Sequence, residues 1–258
     1  MKRILRVLVG VAVAASLASA TPTEAAGKCN GLPTNAQVQQ FLQGAASNSG
    51  VPAGLGGAVC ILGAIPGGGG CVGGLFGGTR MWGAVVNRDG ELCAYATSTA
   101  PSTDTWPGSQ AIAKAKAYTA NAFSNELLPL STALLYTLTQ PGHSLFGLNN
   151  SNLFNAQFLA PPSGAGGGNG QIAGGIISFG GGVPLYNSAG DVIGGFGASG
   201  DTACADHEIA KRVRDLATLN PPLALGGATA DDISYAAGLF NHSLCVNTVK
   251  NGVVIGAE

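Results

Sequence analysis

The 258-residue chain reads as an α+β protein, an antiparallel sheet of about five strands flanked by helices. Three observations predict it. Short apolar runs are joined by turns ending in Asp-Gly or Asn-Ser-Ala-Gly, which is how hairpins are written. Longer stretches between them carry apolar residues at helical spacing. The order helix, hairpin, helix, three strands, helix then places helices over one or both faces of a sheet of antiparallel pairs.

The first residues are a leader. Lys2, Arg3 and Arg6 precede an apolar run from Val7 to Ala18, and Ala18-Ser19-Ala20 supplies the small residues at which a signal peptidase cuts. The run is short for a membrane span, so residues 1–20 are expected to direct export to the periplasm or outside and to leave the mature protein. A second cut near Ala25 is compatible with the same pattern. Removing the leader takes three basic residues and no acidic ones, leaving a net charge of about −4. The absence of a basic stripe speaks against nucleic acid and anionic membranes as partners. The six cysteines, Cys29, Cys60, Cys71, Cys93, Cys204 and Cys245, all follow the leader, and an even number in an exported chain favours disulfides. Cys60 and Cys71 bracket a glycine-rich loop that they could close. Sequence alone admits fifteen full pairings; in one of them Cys204 anchors the tail that holds Cys245, and Cys29 would be left with Cys93. No CxxCH motif for covalent heme attachment occurs. Cys204-Ala205-Asp206-His207 has ligand-like spacing, but a disulfide removes the thiolate such a ligand requires.

The domain itself runs over 27–258. Thr34-Asn35-Ala36-Gln37 is a capping box, and Val38, Phe41 and Leu42 continue it as a helix over about 35–47. Residues 50–78, rich in glycine and almost free of charge, read as a disulfide-tied surface insertion in preference to a functional lid. Met81 to Val86 and Leu92 to Thr97 are strands joined at Asn87-Arg88-Asp89-Gly90. A second helix, capped at or near Ser109, carries Ile112, Lys116 and Ala120 on one side with Ala113, Ala117, Phe123 and Leu127 beside them, and is expected to end or kink at Pro129. The stretch 131–175 is irregular, punctuated by Pro141-Gly142, Asn149-Asn150 and Pro161-Pro162. Strands return at 174–179, 183–186 and 192–199, the last two turned by Asn187-Ser188-Ala189-Gly190. A third helix over about 203–219 follows, with Ile209, Val213 and Leu216 on one face, acids at its start, and Glu208 and Arg212 as an i,i+4 pair. Pro221-Pro222 ends it. Beyond, Val253 to Ile255 is one apolar segment.

Three blocks in this order resemble the GlcG/HbpS-like heme-binding family: Trp82-Gly83-Ala84-Val85-Val86-Asn87-Arg88-Asp89-Gly90-Glu91-Leu92; Ala113 to Ala120 with Phe123; and Gly181 to Tyr186 followed by Gly190-Asp191-Val192-Ile193-Gly194-Gly195-Phe196-Gly197-Ala198-Ser199-Gly200 leading into the Asp206 helix. The resemblance implies a profilin-like sheet, homo-oligomers, and non-covalent binding of heme or a related small ligand. Against the family pattern, residues 50–78 and 131–175 are longer connections, and 220–258 is a C-terminal extension.

Heme needs an apolar slot and an axial ligand, most often histidine or tyrosine. The chain has three histidines. His207, in the first turn of the last helix and surrounded by the family blocks, is the first choice as ligand to the iron. His143 sits in an irregular loop beside Leu145 and Phe146, and His242 lies in the extension. Tyr118, in the family's helix block, is the tyrosine alternative, although packing against the sheet accounts for it as well. Ser199 and Gly200, before a helix, could cradle an anion such as a heme propionate, although a tight strand-to-helix connection needs only the glycines. Asp206 and Glu208 beside His207 raise a second reading, a lyase or isomerase acting on a small organic acid. Consecutive helical residues point in different directions, however, and helix-start charge accounts for the acids. No G-x-S-x-G motif supports a serine hydrolase. A scaffold domain without a ligand is the third reading.

Overall fold

In the computed structural model, the described residues are 28–47, 72–73, 78–99, 104–155, 169–245, 249–250 and 253–254. The leader and the Cys60–Cys71 loop lie outside them. Among the described residues, three α-helices, α1 (Asn35–Ser47), α2 (Ser109–Phe123) and α3 (Ala203–Leu216), accompany seven strands. These are β1 (Val72–Gly73), β2 (Trp82–Asn87), β3 (Leu92–Thr97), β4 (Gly182–Tyr186), β5 (Val192–Ser199), β6 (Val249–Lys250) and β7 (Val253–Val254). The main sheet is antiparallel in the order β3-β2-β5-β4, and a small second sheet runs β1-β6-β7.

Both hairpins of the main sheet turn on the same local device. Asn87 accepts from Gly90 N through its carbonyl and from Glu91 N through its side chain, and Asn187 does the same for Gly190 and Asp191. Gly90 and Gly190 adopt φ of 84° and 91°, which glycine reaches at no steric cost. The two hairpins join centrally, with Trp82 opposite Ser199 and Asn87 opposite Gly194.

The sheet is buried on both faces. On one, Met81, Val85, Val183, Leu185 and Phe196 pack against Val38 and Leu42 of α1 and Ile209 and Val213 of α3. On the other, Trp82, Ala84, Val86 and Tyr95 meet Ala113 and Ala117 of α2. The alternation along β2 is thus apolar on both sides, and no residue of that strand is exposed. Helix α2 lies with its backbone on the strands. A Cβ at Gly197 would stand 2.1 Å from the Ala113 carbonyl oxygen and one at Gly195 2.3 Å from that of Ala117. The glycine-rich β5 is therefore a seat for a helix.

Two expectations are corrected. Residues 174–179 are not a strand: Gly174 and Gly175 take φ of 68° and 82°, breaking the pleat, and the segment makes one isolated bridge, Phe154 to Gly174. Its later polar groups go to side chains instead, Ile177 N to Thr119 Oγ1 and Phe179 O to Thr132 Oγ1. The main sheet therefore has four strands. Helix α2 stops at Phe123, well before Pro129, because Ser124 turns extended and exchanges side-chain hydrogen bonds with Leu130 while Asn125 Oδ1 takes Leu127 N and Leu128 N. Such short polar side chains offer the backbone a non-helical partner. The helix starts where expected, with Gly108 at the N-cap beside Ser109, whose hydroxyl is buried without a partner.

The capping box of α1 forms as expected, Thr34 N donating to Gln37 Oε1 and Gln37 N to Thr34 Oγ1. The same helix does something sequence reasoning missed. Asn35 Oδ1 accepts from Tyr95 N, Gln39 Nε2 donates to Thr97 O and Gln43 Nε2 to Ser98 O. Spaced four apart, the three side chains form one stripe along the edge of β3. Disulfides join Cys29 to Cys93 and Cys204 to Cys245, as the sequence suggested.

Candidate functional site

The centre of the molecule's polar chemistry is the junction where β5 ends and α3 begins. Thr202 caps α3, its side chain accepting from Ala205 N. One turn on, Asp206 points back under the strand end. Its Oδ1 accepts from Gly200 N and Asp201 N, and its Oδ2 lies 2.7 Å from Lys116 Nζ. Lys116 rises from α2, donates also to Ala198 O, and sits 4.8 Å from the centre of the Phe179 ring. Gly181 makes the room, since a Cβ there would meet Lys116 Nζ at 2.6 Å. Both ionic side chains are sealed from solvent. Burial raises the Asp206 carboxyl to about 7 against the attraction of Lys116, and lowers the Lys116 ammonium against that of Asp206.

A second buried network joins α3 to the C-terminal extension. Arg214 forks onto Asp231 at 2.8 and 2.7 Å, neither side chain exposed. The Asp231 carbonyl takes Ser131 Oγ and lies 3.0 Å from His207 Nε2. A carbonyl only accepts, so Nε2 carries the proton, and the lone pair of His207 is on Nδ1, which has no partner. Burial foremost, and then Lys211, lower the His207 pKa to about 3, so the ring is neutral. Nearby, Gly180 N donates to His242 Nε2, His242 Nδ1 lies 2.7 Å from Ser243 O, and Tyr136 packs on the His242 ring at 4.7 Å.

The residues singled out from sequence are therefore dispersed. His207 is fully enclosed in the core. Ser199 is buried in β5 opposite Trp82. The N–H of Gly200, offered as part of an anion cradle, is taken by the protein's own Asp206. Tyr118 is half-buried with its ring against Gly90. His143 is exposed, its loop held by hydrogen bonds from His143 N to Gln140 O and Leu145 N to Leu138 O. Asp206, His207 and Glu208 do face different partners, Lys116, the Asp231 carbonyl and Lys211 respectively. The Arg212 guanidinium feels the Glu208 carboxylate, as the i,i+4 spacing predicts; Glu208 also lies 3.9 Å from Lys211, and Arg212 donates to Ala45 O. The buried Lys116 was legible only as a charge inside a stripe of small and apolar residues. Nothing local marks Asp206 as its partner.

This region, from the segment before β2 to the end of α3, is also where the chain matches known proteins. The family model described as haem degrading protein HbpS-like matches residues 77–215, more than half of the sequence, and the chain belongs to that family. No curated protein matches it. Similar solved structures include the following two. One is protein ORFY of Klebsiella pneumoniae, 25% identical with a TM-score of 0.40, the match covering 54% of this chain and 76% of that one. The other is a PduOC–heme complex, 26% identical with a TM-score of 0.38, covering 53% and 77%. The C-terminal extension, with Asp231, His242 and Cys245, lies beyond the family match.

Proposed function

We propose that the protein is exported and binds heme non-covalently through an imidazole, His143 being the ligand a large planar molecule reaches first. Membership of the HbpS-like family over residues 77–215 is the observation that carries this reading. Export rests on the leader in residues 1–20 and agrees with the two disulfides and with the lack, among the described residues, of a helix fit to cross a membrane. An imidazole binds heme iron through an unshared nitrogen lone pair. His143 presents its ring to solvent beside Phe146, which is 65% exposed. His207 offers the partnerless Nδ1, but a macrocycle reaches it only if the chain around Asp231 lifts, so it ranks second. Tyr118, turned onto Gly90, ranks third.

Self-association belongs to the same reading. Leu127, Leu128, Leu239 and Phe240 are exposed around an apolar groove of about 520 Å³, a surface of the kind that homo-oligomers cover. Titration of the purified protein with hemin tests the central claim: a Soret band that saturates at one heme per chain is expected. Spectra that never depart from those of free hemin would overturn it.

A further inference from the structure

We propose that the Cys204–Cys245 disulfide and His242 are the closed form of a metal site, which on reduction binds a zinc-like divalent cation through two thiolates and one imidazole. The inference rests on residues of α3 and the extension and is independent of heme binding.

A ligand atom of each of the three residues lies within 4.8 Å of those of the other two, and all three residues are buried. Two thiolates and an imidazole suit a borderline-soft ion, and three protein ligands leave a fourth position for water. The surroundings favour each ligand in its binding form. Cys204 stands in the first turn of α3, where the helix favours negative charge, and its own N–H points at Cys245 Sγ at 3.1 Å. A thiolate there inherits a donor already in place. The tautomer of His242 follows from its partners. Gly180 N is a donor only, so Nε2 holds the lone pair and Nδ1–H donates to Ser243 O. A backbone carbonyl on the protonated ring nitrogen is how metal-bound imidazoles are oriented. The metal would take the lone pair that Gly180 now shares.

The chemistry balances with a dithiol as reductant. Its two sulfurs leave as a disulfide, the Cys204–Cys245 bond opens with two electrons and two protons, and the cation displaces both protons to solvent. Either form fastens the extension to α3, one by a covalent bond and the other by coordination.

The experiment is differential alkylation. The full chain is reduced with dithiothreitol, freed of it without oxygen, and treated with iodoacetamide with and without Zn²⁺, each cysteine being read by peptide mapping. Zn²⁺ should slow labelling of Cys204 and Cys245 together by about tenfold or more while leaving Cys29 and Cys93 unchanged, and His242→Ala should abolish that protection. Equal labelling of Cys204 and Cys245 with and without Zn²⁺, or protection that survives in His242→Ala, overturns the proposal. Reduced protein that has lost its fold labels alike under both conditions and counts as the same refutation.

Discussion

Lys116 and Asp206, 90 residues apart in sequence, meet at 2.7 Å in the interior and tie α2 to the start of α3 beneath the end of β5. Breaking such a pair leaves one ion buried without its partner. Asp206→Asn is expected to cost about 3–5 kcal/mol of stability. The double change Lys116→Met/Asp206→Leu should cost less than the single one, since no uncompensated ammonium remains. Urea unfolding of the three proteins measures this, and a double variant less stable than Asp206→Asn would show that the ion pair is not what matters at this junction.

The seating of helices and strands on glycine predicts a sharp contrast. A Cβ at Gly194 would lie 2.1 Å from the Val86 carbonyl oxygen, a backbone atom that cannot step aside, whereas one at Gly238 meets nothing within 4 Å. Gly194→Ala should destabilise by about 3 kcal/mol or more, and Gly238→Ala by no more than about 0.5 kcal/mol. Thermal melts of the two variants decide it.

For the heme reading, His143→Ala should weaken hemin affinity by about tenfold, roughly 1.4 kcal/mol, with an unchanged melting temperature. His207→Ala should lower the melting temperature, because it removes a buried ring bonded to Asp231. A hemin spectrum altered by His207→Ala alone would move the site into the core.

Lys114 gives a pH signature. Its ammonium is buried 4.0 Å from the centre of the Tyr95 ring, and burial lowers it from 10.5 to about 8. Between those values the unfolded chain binds more protons than the folded one, so stability rises with pH; below about 8 both states are charged and the penalty of burial is fully present. Relative to Lys114→Met, the wild type should therefore gain stability from pH 8 to 10. Parallel pH profiles in the two proteins would count against it.

Thiol titration of denatured, unreduced protein should find no free thiol, as the proposed export of a chain with six cysteines implies. Two reactive thiols per chain would leave one of the expected bridges open.

What could be read from sequence was local. The Thr34–Gln37 box, the turns at Gly90 and Gly190 and the amphipathic face of α3 each depend on residues within four positions of one another, and each formed. The Cys29–Cys93 and Cys204–Cys245 bridges were one candidate among fifteen pairings, and the structure holds them. The failures are of two kinds. Residues 174–179 carry strand-like side chains, but the left-handed glycines at their head decide the backbone, and composition does not reveal the sign of φ. Lys116 with Asp206, Arg214 with Asp231 and the histidine surroundings are set by how distant elements stack, for which the sequence holds no period. Of the site, sequence supplied the histidines and left their exposure unread, and exposure is what separates His143 from His207.

The side-chain stripe Asn35, Gln39 and Gln43 has a consequence for how the molecule meets its neighbours. Along β3 the outward-facing backbone groups are claimed by that stripe and by Gln171 and Gly170, which bond Leu92. At the opposite border, β4 has Gly182 N on Thr132, Tyr186 N on Leu219 O and a proline between them that can offer no hydrogen. Neither margin of the sheet is left as a template on which another chain could extend it. The main sheet is thereby guarded against edge-to-edge pairing, and an assembly built on it must be made of side chains meeting side chains.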